Sequence, residues 1–458
     1  MKILLQTYRI PLLMVFASLV FYWSFAYQLE RSDFIKLLSL YAALFFLFYK
    51  LVQTNAGNYK FLFWTGIALR AIFIFTIPNL SQDFYRFLWD GRLLIEGINP
   101  YLSTPDSFAS LGMTIPQSQE LINGMGTLNA SHYSNYPPVS QLIYAIAALL
   151  AGKSILGSVI IIRVLLIAAD IGTLLFGKKL LEKLQIPKYY IFWFFLNPFI
   201  IIELTGNLHL EGVMVFFLVG ALYFMVVKKW LWSAVFLGLS VSTKLIPLLF
   251  LPLLLPYFLS QFPSKVSAIK KLLLYYVMVF VTVLVLFLPF LSEAFLQNFS
   301  TTINLWFTNF EFNSSVYYLI RWVGFETVGW NIIGTVGKIL PVITLLFILY
   351  LSFFRKAKDL ARLLVLMLFG FCFYLLLSTT VHPWYLTIPL VLSIFTKYRF
   401  MLIWSFVIVL SYAAYGEAGF KENLWLVGLE YVVVIGVFVW EVFWKKPTAF
   451  IRATNTSS

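Results

Sequence analysis

Charge is scarce in this chain: Asp, Glu, Lys and Arg make up 11% of its 458 residues, against 61% apolar and 19% aromatic. Soluble domains carry about 25% charged and at most about 50% apolar residues, so too little polar material is present to cover a surface facing water. A soluble enzyme is excluded. The composition admits a polytopic membrane protein whose exterior faces mostly lipid. Cysteine is nearly absent as well. The single Cys372 rules out an intrachain disulfide and a cysteine-based zinc cluster, and leaves the redox compartment unreadable. No internal repeat, coiled-coil heptad or low-complexity tract is present, and no stretch reads as a soluble domain.

Acids are the scarcer sign, with 19 Asp and Glu against 33 Lys and Arg for a net charge of +14. In a soluble chain that excess would suggest nucleic acid. Here the basic residues form short clusters between apolar spans, at Lys228-Lys229, Lys270-Lys271, Arg355 to Lys358, Lys397 to Arg399 and Lys445-Lys446. Such spacing marks cytoplasmic loops, and no nucleic-acid partner is expected.

The apolar segment from Ile10 to Tyr27 follows Lys2 and Arg9, is too long for a signal-peptide core and reads as a retained first helix. Spans near 34–52 and 60–79 follow, putting Lys50 and Lys60 inside and Asn79 at the outer face. Residues 138–151 are too short to cross a core of about 30 Å and are expected to lie along the outer surface. With that choice Lys178, Lys179, Lys183, Lys188 and every later basic cluster fall inside. Later spans are expected near 155–178, 188–204, 210–227, 230–243, 246–261, 270–290, 335–354, 360–378, 384–397, 400–415 and 424–443. The expectation is an all-α polytopic bundle of about 14 transmembrane helices in one membrane domain, 1–458. An N-terminal helix pair (1–59) precedes a module (60–458) with outer loops at 80–154 and 291–334, and the tail from Ala453 to Ser458 reads as frayed.

Polar residues are few enough that each asks for a reason. At about 100° per residue, Asp83, Arg86 and Asp90 fall within about 60° of one another on a helix just past the third span. The other faces carry Phe84, Tyr85, Leu88 and Trp89, which an interfacial helix would also show. Charges gathered at one mouth of the bundle, opposite a second long loop, favour a site. Transfer of a sugar from a lipid phosphate to an alcohol needs a base for the hydroxyl proton, and one carboxylate suffices. The phosphate needs cations, for which Arg86, Arg92, Lys244 and Arg321 are candidates near the outer face. Lys244 between two apolar runs is costly in lipid unless paired or wetted. Arg163 and Asp170, seven apart on one helix, suit a structural polar contact, and Arg70 reads as scaffold.

Asp83 to Pro100, Tyr136-Pro137-Pro138, Asn197-Pro198 with Asn207, His209, Glu211 and Gly212, Thr243-Lys244 with Pro247, and His382-Pro383-Trp384-Tyr385 together resemble polyprenyl-phosphate-sugar-dependent glycosyltransferases of the GT-C fold. The likeness runs over about 80–390 and is nearest to bacterial polytopic mannosyltransferases. It implies an acidic base at the start of the first large outer loop, which is Asp83 here, with Asp90 as the alternative. It further implies a GT-C-like bundle, a polyprenyl-phosphate sugar as donor, mannose as the sugar, and a lipid or glycan hydroxyl as acceptor. Substrate contacts are expected from Arg86, Arg92, Tyr136, Asn207, His209, Glu211, Lys244, Arg321 and His382. Members with two adjacent acids differ from this chain, in which Gln82 precedes Asp83, so no metal or other cofactor is expected. Membrane lipids are expected partners, and the placement is multi-pass in a bacterial inner membrane with the site outside. The competing reading is a transporter or flippase of a lipid-linked saccharide, which should show paired broken helices in two halves; only one break, Ser242 to Lys244, is seen.

Overall fold

The computed structural model describes residues 2–444 apart from 111, 113, 114 and 418; the Lys445-Lys446 cluster and the tail from Ala453 lie outside the described residues. The chain is almost wholly helical, its one sheet among those residues being a two-stranded hairpin, Tyr415–Gly416 with Gly419–Phe420. Uncharged apolar runs favour helix because only helices satisfy every backbone group in lipid. Polar caps start several of them. Asp33 accepts from the Lys36 amide, Ser154 from that of Gly157 and Asn423 from those of Trp425 and Leu426.

Among the described residues, seven helices are long and apolar enough to cross a membrane: Arg9–Gln28, Phe34–Thr54, Ile155–Lys183, Lys265–Phe290, Ile333–Phe354, Leu360–Leu377 and Leu424–Trp444. An eighth candidate is the pair Lys188–Phe195 and Pro198–Gly206, bent by 51°. By length, then, the expected count of about 14 is not reached. Tyr59–Ala71 has 13 residues, Glu211–Val226 has 16 and Trp230–Val241 has 12. At about 1.5 Å per residue these fall short of the hydrocarbon thickness. The expected spans 246–261 and 384–397 are broken into 3₁₀ and α pieces at prolines, which lack the N–H that a continuous helix needs. The last short one, Phe400–Ala414, changes from α to 3₁₀ at Ile408.

Residues 80–154 fold into a helical cap rather than an open loop, comprising Asp83–Ile95, Pro105–Ser110, Ser118–Ala130 and Pro138–Ala151. Phe84, Phe87, Trp89, Leu121, Val139 and Tyr144 share a buried cluster with Ile162 and Leu166 of the Ile155–Lys183 helix. Gly91 permits the closest approach, since a Cβ there would stand 2.3 Å from the Tyr144 carbonyl oxygen. The Pro138–Ala151 helix buries one face against these neighbours and leaves Leu142, Leu149 and Leu150 exposed on the other.

Contacts sort the chain's turns to two ends. At one, Lys178 lies over Tyr59 and Arg399 over Tyr190, and Ser260 bonds the Ala357 carbonyl. At the other, Asn79 bonds the carbonyls of Phe25 and Leu29, Leu80 N–H bonds Asn207, Val139 N–H bonds Ser242 O, and Phe312 pairs with Thr380. Basic clusters thus gather opposite the Asp83 end. Ser107 and Ser300 are exposed on the latter. Single cysteines placed there in a Cys372→Ala background should react with an impermeant thiol reagent applied to intact cells. Labelling only after the inner face is opened would reverse the orientation.

Candidate active site

Asp83 opens the Asp83–Ile95 helix, its carboxylate 26% exposed. Its Oδ1 accepts from Asn129 Nδ2 at 3.4 Å, while Oδ2 faces His209 Nε2 at 4.0 Å. The segment that brings up His209 is built on a break. Asn197 caps Pro198–Ile200, the next residues, Ile201–Gly206, widen into a π-turn, and Leu208 takes the left-handed conformation at φ 64°. Arg163 holds this break by donating to the carbonyls of Thr205 at 2.7 Å and Gly206 at 3.0 Å. The same guanidinium bonds the carbonyls of Ile74 and Thr76, on the strand of chain that leads to Asp83.

His209 Nδ1 lies 3.0 Å from the Glu203 carbonyl oxygen. A carbonyl only accepts, so Nδ1 carries a proton, and the ring turns Nε2 toward Asp83. Nε2 is buried and has no hydrogen-bond partner. The 4.0 Å between Nε2 and the Asp83 carboxylate leaves a place where one hydroxyl reaches both. The Glu203 carboxylate also accepts from Asn207 at 3.2 Å and Tyr412 at 2.7 Å. Trp384 fixes the ring plane: His209 stacks on one side at 3.7 Å and His382 on the other at 4.5 Å. Burial pushes the His382 imidazole down to about 3, so it is neutral at ordinary pH.

Beyond this cluster lies a cavity of about 250 Å³. Its walls are largely apolar, with Ile303, Phe307, Leu340, Pro341 and Phe371, and one end is polar, with Tyr136, Glu211 and Lys244. Gly337 lets the Ile333–Phe354 helix meet Phe307, since a Cβ there would fall 2.0 Å from the Phe307 carbonyl oxygen. Lys244 Nζ pairs with Glu211 Oε1 at 2.6 Å. The Ser242 and Thr243 carbonyls of the break before it are met by Val139 N–H and Ser140 Oγ. Glu211, two residues after His209, and Tyr385, next to Trp384, both line the cavity, which joins the two halves of the site.

Of the expected site residues, Asp83, Asn207, His209, Glu211, Tyr136, Lys244 and His382 gather here. The remaining four do not. Arg86 is buried, its Nε on Asp90 at 2.9 Å and Nη1 on the carbonyls of Asn129 and His132 at 2.8 Å. Asp90, 0% exposed, also accepts from Ser134 and Gln141. The stripe shared by Asp83, Arg86 and Asp90 is thus split: only its first member reaches the site. Arg92 bonds Pro116, Gln117 and Lys153, tying the cap together, and Arg321 pairs with Glu311. Arg70 pairs with Asp170 at 2.9 Å, the scaffold contact expected of both.

Glu203, Asn129 and Trp384 are the participants sequence reasoning passed over or read as structural. A lone glutamate in the apolar run before Asn207 was the available signal for Glu203.

The fold and site define a polytopic helical membrane protein that sets a partly exposed carboxylate next to an apolar cavity with a polar end. Residues 34–260 match the family described as alpha-(1->6)-mannopyranosyltransferase, N-terminal domain. That stretch includes Asp83, Tyr136, His209, Glu211 and Lys244, and begins inside the helix pair read as an N-terminal addition. The chain is also similar to alpha-(1->6)-mannopyranosyltransferase B of Corynebacterium glutamicum, 28% identical over 147 residues. This match covers 31% of the present chain and 23% of that protein, so the chain spans less than a quarter of the relative in the matched region. Both bear out the resemblance to bacterial polytopic mannosyltransferases.

Arg86→Gln should act on stability, because it strands a buried Asp90. A loss of about 3–5 kcal/mol is typical for such a pair, readable as a drop in detergent thermal melting. Affinity for a lipid phosphate in the folded fraction should stay unchanged.

Proposed function

We propose that the protein is an integral-membrane glycosyltransferase that moves a sugar, mannose, from a polyprenyl-phosphate donor to a lipid or glycan hydroxyl. The observation that carries this reading is Asp83 Oδ2 facing the unpartnered His209 Nε2 across 4.0 Å, with Glu211, two residues after His209, lining the apolar cavity. An acceptor hydroxyl fits between Asp83 and His209 with its single proton directed at Asp83. Its proton passes to Asp83 as its oxygen attacks the anomeric carbon. The bond from that carbon to the phosphate oxygen breaks, and the phosphate departs with the electron pair. Attack opposite the leaving group inverts the anomeric centre. The apolar cavity suits the first isoprene units of the donor, whose remaining chain lies in lipid. The names of the matched family and relative support mannose and an α-(1→6) linkage.

Polarity of the basic clusters supports an extracytoplasmic site in a bacterial inner membrane, since they lie at the end opposite Asp83. A monoester phosphate is a competent leaving group when protein cations meet it, so no divalent metal is needed. Activity should survive EDTA; its abolition by EDTA and recovery with Mn²⁺ would contradict the metal-free step.

Asp83→Asn keeps shape and removes the proton acceptor. Turnover should fall by about 10²-fold or more with donor affinity retained. Turnover within a few-fold of the parent would move the base elsewhere.

A further inference from the structure

A departing phosphate needs a cation that is not already neutralised, and most basic side chains around Asp83 are. Lys244 is held by Glu211 at 2.6 Å, Arg86 by Asp90 at 2.9 Å, and Arg92 and Arg321 are bound within the loops. Arg31 differs. It stands in the short turn between the helices Lys2–Gln28 and Phe34–Thr54, half-buried, its guanidinium carbon 3.3 Å above the Tyr415 ring. No carboxylate pairs with it among the described residues, and its Nε is buried with no hydrogen-bond partner.

Stacking links this charge to the catalytic end. Tyr415 meets Phe312 at 6.0 Å, Phe312 stacks on His382 at 5.0 Å, and His382 lies on the Trp384 that orients His209. Arg31 over Tyr415 and Asp83 facing His209 thus stand at the two ends of one aromatic patch. A guanidinium that lies flat on a ring uses its face for that contact and keeps its in-plane N–H groups free. Those N–H groups form the planar fork that suits two phosphate oxygens.

We propose that Arg31 is the phosphate-binding cation of the site, taking the polyprenyl phosphate ester of the donor between the 29–33 turn, the Tyr415 hairpin and the His382 turn. The inference rests on the glycosyl-transfer reading above and deepens it. During transfer the phosphate passes from a singly charged diester to a monoester that carries up to two charges, as the C–O bond breaks with both electrons on oxygen. Arg31 then binds the leaving group more strongly than the intact donor, which is the direction that accelerates the step.

The test compares binding of a short polyprenyl phosphate with that of the matching uncharged polyprenol to the purified full chain in detergent. The parent should prefer the phosphate. Arg31→Gln should cut that preference about tenfold or more while leaving polyprenol affinity unchanged, and Arg31→Lys should recover part of it. Equal preference in Arg31→Gln and the parent, with Lys244→Met abolishing it, would move the phosphate to Lys244 and overturn the inference while leaving the transfer reading intact. A parent with no preference for the phosphate would overturn both. Should Arg31→Gln fail to fold, Arg31→Lys still decides: it keeps the charge and loses the fork, and an undiminished preference would count against the proposal.

Discussion

Backbone carbonyls that leave a helix inside an apolar bundle must find donors, and Arg163 supplies them where this protein breaks its chain. Its guanidinium bonds four carbonyls, those of Ile74, Thr76, Thr205 and Gly206. Two belong to the approach to Asp83 and two to the approach to His209. Without those donors the π-turn and the left-handed Leu208 would leave unsatisfied groups in a region with no water, at about 1–3 kcal/mol each. One buried arginine therefore fixes the distance between the carboxylate and the imidazole. Trp384 then sets the imidazole plane, and the Glu203 carbonyl anchors its Nδ1.

This arrangement explains how a membrane protein with few polar residues can build a reaction site. Most of its buried charges are spent on geometry: Arg70 with Asp170, Arg86 with Asp90, and Arg163 on carbonyls. Near the cavity, too, some capacity is unmet. His209 Nε2 has no partner, Glu211 uses one oxygen on Lys244 and leaves Oε2 free, and Trp306 Nε1, which lines the cavity, is also unpartnered. Unmet hydrogen-bonding groups at an apolar cavity are what a bound sugar phosphate and acceptor would satisfy.

Much of the site was legible in the sequence because polar residues in apolar surroundings stand out. Asp83, His209, Glu211, Lys244 and Tyr136, drawn from separate stretches, do converge. The Arg86 and Asp90 assignments were less secure, since helical periodicity gives a shared stripe but not what covers it; here Asn129, His132, Ser134 and Gln141 of the same cap enclose the inner part. The count of about 14 helices is not confirmed for a related reason. Hydropathy marks an apolar run but does not distinguish a full span from a 12-residue helix packed within the bundle, or from a run interrupted at Pro247 or Pro383. Arg31 left no local signal at all, because only tertiary packing carries the first turn to the Tyr415 hairpin.

The central claim is that the sugar comes from a lipid phosphate and is moved by this one cavity. Its most direct measurement is incubation of the purified protein with a panel of polyprenyl-phosphate sugars and nucleotide sugars together with a membrane glycolipid acceptor, followed by mass spectrometry. Transfer of a hexose from polyprenyl-phosphate mannose, and none from a nucleotide sugar alone, is the expected result. Transfer from the nucleotide sugar alone, or from none of the donors, would contradict the account.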